Sequence, residues 1–358
     1  YSEVWNFTTA GTVTLTSPTN NPSPTGRFYS RQYLRWNTLP GSSGYLIQID
    51  TTPDFSSGAL RNINETVSNT NTDSYREKCV YDLYYGTMYY WRVCAISSAD
   101  TTDWSETWQF HTRDDVVLSF PSDTSANGTY FTRQDFRWEN SYGSSLYILQ
   151  LDTTPSFSSG LLQTYTKTTT NSNTDEDIIK NISDMRYGTM YYWRVCSANA
   201  VDTSGWSNTW RFHTTDWVAL YYLPNDTSST AGYFTRQELE WKNSKGSNSY
   251  ILQLDTVPSF DSGLLRSIDV SSSTTNTDTY IYKYVSDLRY GTMYYWRVCA
   301  INNADTSGWS ATWQFHTTDW VALYYLPNDT SSTVGYYTRQ ELEWKNSKGS
   351  NSYILQLD

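Results

Sequence analysis

Short runs along the chain alternate apolar and polar side chains with a period of two, the spacing that places successive residues on opposite faces of a β-strand. In "MYYWRVCA" (88–95), Tyr89, Trp91, Val93 and Ala95 fall on one face and Tyr90, Arg92 and Cys94 on the other. In "YLIQID" (45–50), Tyr45, Ile47 and Ile49 oppose Leu46, Gln48 and Asp50. The first set of each pair predicts a core face. Other strand-like runs are "RQYLRW" (31–36), "RQDFRW" (133–138) and "RQELEW" (236–241 and 339–344), each followed by a Gly/Ser turn. Six or seven such segments, separated by turns such as "TTPDFSSG" and closed by "WSETWQFHT" (104–112) or its relatives, predict an antiparallel sandwich. Trp36, Trp91, Trp138, Trp193, Trp241 and Trp296 are its expected core.

The segments recur as a block. "YGTMYYWRVC" begins at 85, 187 and 290, roughly 100 residues apart, and a unit of that size buries a core of its own. The register divides the chain into modules at 11–113, 114–216 and 217–319. Residues 1–10 correspond to the closing strand of a preceding module, and 320–358 to the opening strands of a fourth. Residues 214–255 return at 317–358 with changes only at Ala231/Val334 and Phe234/Tyr337, which suggests recent duplication within a longer array. Incomplete modules would leave Trp344, Tyr353, Leu355 and Leu357 uncovered, so the fold is expected to continue in the chain or in a neighbouring copy. Junctions such as "FHTTDWVALYYLPNDT" contain no Gly/Ser linker and predict stiff joints.

A tryptophan in an early strand, the "YLIQID" strand leading into "TTPDF", the motif L-x-x-G-T-x-Y-Y-W-R-V, and the closing W-S-x-x-W-x-F-x-T resemble fibronectin type III domains, particularly those of bacterial surface proteins. The resemblance covers three whole modules. It implies tandem all-β, seven-stranded antiparallel Greek-key sandwiches, serving as spacers or binding modules without chemistry of their own. One departure stands out. The proline usual before the motif glycine is absent, and Tyr84-Tyr85, Arg186-Tyr187 and Arg289-Tyr290 occupy its neighbourhood.

Composition adds limits. The formal net charge of −11 argues against a nucleic-acid partner, since phosphate binding relies on Lys and Arg. No apolar run reaches the roughly 18 residues that a membrane-spanning helix needs, and the first residues lack the pattern of a signal peptide. His111, His213 and His316 hold one equivalent position in separate modules, so they cannot converge on a metal or a triad. No phosphate-binding loop or nucleophile elbow occurs. The expectation is a protein that is no enzyme and has no cofactor. The Asp/Thr/Ser/Gly loops at 98–104, 200–206 and 302–309 read as turns rather than calcium loops; if calcium binds at all, domain junctions are the expected place. Cys94, Cys196 and Cys299 share one outward strand position, expected to be half-covered, while Cys79 is extra. A Cys79–Cys94 bridge and inter-chain bonding are the oxidised alternatives.

Sequons at Asn6, Asn64, Asn127, Asn181, Asn225 and Asn328 are candidate glycosylation sites for a secreted chain. On the outward face of the motif strand, Tyr90, Tyr192 and Tyr295 accompany Arg92, Arg194 and Arg297, with Leu46, Ile148 and Ile251 on the neighbouring strand. These nine form a candidate contact stripe for further copies of the chain, surface glycans or another cell. Two functions compete: a structural or adhesive repeat region of an extracellular, cell-surface fibre, and a carbohydrate-binding or spacer array of a secreted enzyme.

Overall fold

The computed structural model describes residues 11–23, 25–67, 73–98, 100–126, 130–170, 172–227, 232–318, 342–345 and 349–357. Among them seven strands form over the first module: β1 (Leu15–Ser17), β2 (Gln32–Asn37), β3 (Gly44–Asp50), β4 (Arg61–Thr66), β5 (Tyr75–Val80), β6 (Met88–Ile96) and β7 (Trp108–His111). The second repeats them as β8 (Leu118–Phe120), β9 (Gln134–Glu139), β10 (Leu146–Asp152), β11 (Gln163–Thr168), β12 (Asp177–Ile182), β13 (Met190–Ala198) and β14 (Trp210–His213). The third follows as β15 (Leu220–Tyr222), β16 (Gln237–Lys242), β17 (Ser249–Asp255), β18 (Arg266–Ser271), β19 (Tyr280–Val285), β20 (Met293–Ile301) and β21 (Trp313–His316). Each set makes a three-stranded sheet in the order first-second-fifth and a four-stranded sheet in the order fourth-third-sixth-seventh. Neighbouring strands within the sheets run antiparallel, as in β3 with β6, where Ile47 faces Val93 and Gln48 faces Arg92.

The alternating faces close on each other as the pattern predicts. Trp36, Tyr45, Ile47, Ile49, Trp91, Val93 and Phe110 are fully buried in one cluster. Trp241, Tyr250, Leu252, Trp296, Val298 and Phe315 form the equivalent cluster near the other end of the chain. Each large side chain so buried stabilises the fold by about 1.5–3 kcal/mol. The indole N–H groups of all six core tryptophans find no nitrogen or oxygen acceptor. In the four-stranded sheets a second indole stands perpendicular to each, with Trp91 and Trp108 at 89° and Trp296 and Trp313 at 90°.

Buried tyrosines tie loops to this core. The Tyr89 hydroxyl accepts the Tyr84 N–H at 2.8 Å, and the Tyr294 hydroxyl accepts the Arg289 N–H at 2.9 Å. This is the corner device of immunoglobulin-like sandwiches. Burial pushes the Tyr89 phenol up to about 12, which keeps it protonated. Thr112 completes the corner by donating to the Tyr84 carbonyl at 2.6 Å.

Asp50, Asp152 and Asp255 lie on the outward side of their strands yet are fully buried, because the "TTPDFSSG" turn folds over them. Asp50 accepts the Thr51 N–H at 2.6 Å and the Ser57 N–H at 3.0 Å, and Ser57 Oγ also donates to it. Burial alone would push this carboxyl up; the hydrogen bonds from Ser57 and Thr51 outweigh it and hold the group below its ordinary value. The same closure holds Phe55 at φ 56°, a left-handed conformation that a bulky side chain seldom adopts unaided.

Two expectations need correction. The outward cysteines are not half-covered: Cys94, Cys196 and Cys299 are buried, and all four thiols are free, with no Cys79–Cys94 bridge. Cys79 lies on β5 of the three-stranded sheet and Cys94 on β6 of the other sheet, so the two belong to different layers. Burial pushes the Cys196 thiol up to about 11. Residues 349–357, in the segment read as opening strands of a fourth module, carry no strand. The proposed closing strand at 1–10, and most of 320–358, lie outside the described residues.

The described chain packs as two compact units. One gathers residues up to 124 with 135–180 and 191–211, and the other gathers 125–134, 181–190 and 212 onward. The division runs through the second module because one end of that module packs with the third.

Candidate functional site: the joints between modules

Within the first compact unit, the tail of module 1 meets the head of module 2. The tail consists of the motif turn at 83–86 and the approach to β2. The head consists of the β9–β10 turn and the loop that follows β13. The Tyr85 hydroxyl and Ser144 Oγ are 2.8 Å apart, and both side chains are buried. The Tyr85 N–H donates to Asp202 Oδ2 at 2.9 Å. Asn199 Nδ2 donates to the Leu83 carbonyl at 2.8 Å, while its Oδ1 accepts the N–H groups of Val201 and Asp202 and so fixes its own loop. The Arg31 N–H reaches the Tyr142 carbonyl at 3.2 Å, and the Tyr29 and Tyr142 rings pack edge to face at 4.8 Å.

The second compact unit rebuilds this joint from equivalent residues. Tyr187 and Ser247 hydroxyls are 2.8 Å apart, and Asn302 Nδ2 donates to the Met185 carbonyl at 2.8 Å. Burial pushes the Tyr187 phenol up. The turn glycines explain the close fit. Gly143 and Gly246 have φ of 101° and 102°, and a Cβ on either would come within 2.6 Å of the preceding tail's Ser30 or Thr132 hydroxyl. Only glycine satisfies both the left-handed backbone and the approach.

Tyr85 and Tyr187 directly precede the motif glycine, and the Tyr or Arg found there in place of the usual proline was the signal the sequence offered. Asn199, Asp202, Asn302 and Asp305 lie in loops that sequence reasoning treated as plain turns, apart from junctions. The structure makes loop and junction the same place. Asp114 and Asp202 each accept a backbone N–H at the first joint. Among the described residues no three His, Cys, Asp or Glu side chains converge as a metal site.

The outward stripe is located as follows. Tyr90, Tyr192 and Tyr295, with Leu46, Ile148 and Ile251, are half-buried on the outer faces of the four-stranded sheets. The arginines between them are already engaged within their own modules. The Arg92 guanidinium lies between the Phe55 ring at 4.0 Å and the Trp104 ring at 4.5 Å, and donates twice to Gln48 Oε1 at 2.9 and 2.7 Å. Arg194 sits likewise between Phe157 and Trp206, and Arg297 between Phe260 and Trp309. A cation stacked this way contributes about 0.5–2 kcal/mol to its own fold, and two of its five donors are already engaged there. Of the sequons, Asn64 is exposed and lies directly opposite Leu46 on β3. Asn181 and Asn225 are also exposed; Asn181 Oδ1 accepts from Arg133, and Asn225 Oδ1 accepts the Gln314 N–H. Asn6, Asn127 and Asn328 lie outside the described residues.

The strand order and the repeated joints define a class: tandem β-sandwiches of the fibronectin type III and immunoglobulin-like kind. No protein-family model matches the chain, and no curated protein matches it. Among solved structures it is similar to the FN1–FN3 domains of chicken CNTN1, at 18% identity and a TM-score of 0.24, over 86% of this chain and 98% of that one.

Proposed function

We propose that the chain is a structural or adhesive repeat region of a long extracellular surface fibre, of the kind carried by microbial surface proteins, spacing or presenting contact sites without catalysis. The observation that carries this reading is the joint. Two successive junctions use the same tyrosine, serine, asparagine and glycine positions, so joint geometry is written into the repeat itself. Copies of weak contacts along such an array gain avidity. Its partners would be further repeats or copies of the chain, with surface glycans or another cell as targets, and the exposed sequons would carry glycans of its own.

Imaging of single particles tests the reading. Elongated particles with narrowly distributed angles at the joints are expected, and Tyr85→Ala with Tyr187→Ala should broaden those angles while each module stays folded. Freely jointed wild-type particles would overturn it.

One observation favours the accessory carbohydrate-binding reading instead. On the outer face of the third module's three-stranded sheet, Tyr221, Tyr282 and Tyr284 are about half exposed, and Tyr221 stacks on Tyr280 at 4.1 Å. Glu238 and Glu240 pair across the sheet with Tyr284 and Tyr282. Aromatic faces beside carboxylate acceptors suit a neutral, hydroxyl-rich sugar. Retention on immobilised neutral polysaccharide, lost on changing Tyr282 and Tyr284 to Ala, would move the balance to that reading.

A further inference from the structure

At each joint one linker carboxylate sits between two glycines, one from each module. Asp114 packs against Gly86 of the tail, where an added Cβ would come within 3.0 Å of Asp114 Cβ. It packs also against Gly205 of the following head loop, where an added Cβ would lie 3.0 Å from Asp114 Oδ2. Its Oδ1 accepts the Gly205 N–H at 2.8 Å. Asp216 repeats the arrangement in the second compact unit. A Cβ on Gly188 would lie 2.9 Å from Asp216 Cγ, and the Gly308 N–H donates to Asp216 Oδ1 at 3.1 Å.

The head of module 1 departs from this pattern at both positions together. By the repeat register, Gly11 stands where Asp114 and Asp216 stand, and Asp103 stands where Gly205 and Gly308 stand. Gly11 and Asp103 line one cleft with Gly41, Ser42 and Asp100, whose counterparts Gly143, Ser144 and Asp202 meet the preceding tail at the first joint. A Cβ on Gly41 would have no neighbour within 4 Å. The cleft therefore has the form of a joint surface with its carboxylate moved from the linker to the head loop.

We propose that this carboxylate is a pairing key, and that the cleft on module 1 receives the tail of another module of this repeat type across the glycine linker that Gly11 supplies. Asp103 takes the slot that Asp114 fills elsewhere. An aspartate in place of Gly11 would set two carboxylates against each other on the same side of the joint, so linker and head loop have to be exchanged together. The inference rests on the array reading, but its test does not, because it is run at the joint between modules 1 and 2 of the protein itself.

Three variants of that joint decide it: Gly205→Asp, Asp114→Gly, and the two together, which transplant the module 1 arrangement. The readout is peptide-level hydrogen exchange over residues 83–86 and 199–206, with near-ultraviolet circular dichroism to confirm folded modules. Gly205→Asp and Asp114→Gly are each expected to speed exchange at the joint at least tenfold, and the double variant to return within threefold of wild type. Gly205→Asn separates charge from bulk and should loosen the joint less than Gly205→Asp. If Gly205→Asp prevents folding, comparing Asp114→Gly with the double variant still answers the question. A double variant no tighter than Asp114→Gly alone, or an asparagine as disruptive as aspartate, overturns the key. Either result leaves the fibre reading standing, since that depends on the particle angles.

Discussion

Single residues show most directly how alternation becomes energy. Trp193 is fully buried between the sheets, edge-on to Phe136 at 5.1 Å and to Trp210 at 6.0 Å, and its indole N–H has no hydrogen bond to lose. Trp193→Ala should therefore cost the transfer and cavity terms alone, about 3–5 kcal/mol in denaturant unfolding. A loss under about 1 kcal/mol would mean that the site is not part of the packed core. The cysteines make a second case. Burial keeps the thiols of Cys94, Cys196 and Cys299 protonated and covered, so a thiol reagent at neutral pH should find one reactive group, Cys79, in the folded protein and four in urea. Fast labelling of three or four native thiols would contradict the burial. Alternation made the tryptophans legible and put the cysteines on the outward face, but missed that they are covered there. It tells which face a residue is on, and not what lies over that face.

At the scale of elements, the turn after β3, β10 and β17 is held by a carboxylate rather than by backbone geometry alone. Asp152 accepts the N–H groups of Thr153 and Ser159 at 2.6 and 3.0 Å, and Ser159 Oγ donates as well. Burial opposes the charge, and these hydrogen bonds more than offset it, so the carboxyl titrates below its ordinary value. A group with a depressed folded value stabilises the fold fully above its unfolded value, about 3.9, and loses that contribution as pH falls through the folded value. The three turns should thus weaken together below about pH 4. Changing Asp50, Asp152 and Asp255 to Asn should lower stability near pH 7 by about 1–3 kcal/mol per module and flatten the acid limb. Thermal melts from pH 7 to pH 3 check this, and an acid limb as steep as in the wild type would refute it. The turn itself was legible in "TTPDFSSG". Its effect on Arg92, held between Phe55 in the turn and Trp104 in a distant loop, was not, because those residues meet only through the sheet.

For the whole molecule the modules matter less than their joints. The Tyr85 and Tyr187 hydroxyls each share a hydrogen bond with the next module's serine, and the Tyr85 backbone N–H donates to Asp202. Removing only the hydroxyls, with Tyr85→Phe and Tyr187→Phe, deletes one buried hydrogen bond at each joint and should cost about 0.5–1.5 kcal/mol per joint. Calorimetry should then resolve module unfolding that is coupled in the wild type. Unchanged cooperativity would mean that the joints do not link the modules energetically.

The strands, their two faces, the tryptophan core and the repeat were legible in the chain, because each follows from local periodicity or from copies of one pattern. The chain also held the signs of the joint, a tyrosine where proline is usual and an aspartate exchanged with a glycine. What those signs meant emerged only once the chain was folded. Tyr85 and Ser144, or Asp114 and Gly205, stand far apart in the chain, and no periodicity relates them. Their contact exists because two sandwiches stack with the motif turn of one against the loops of the next.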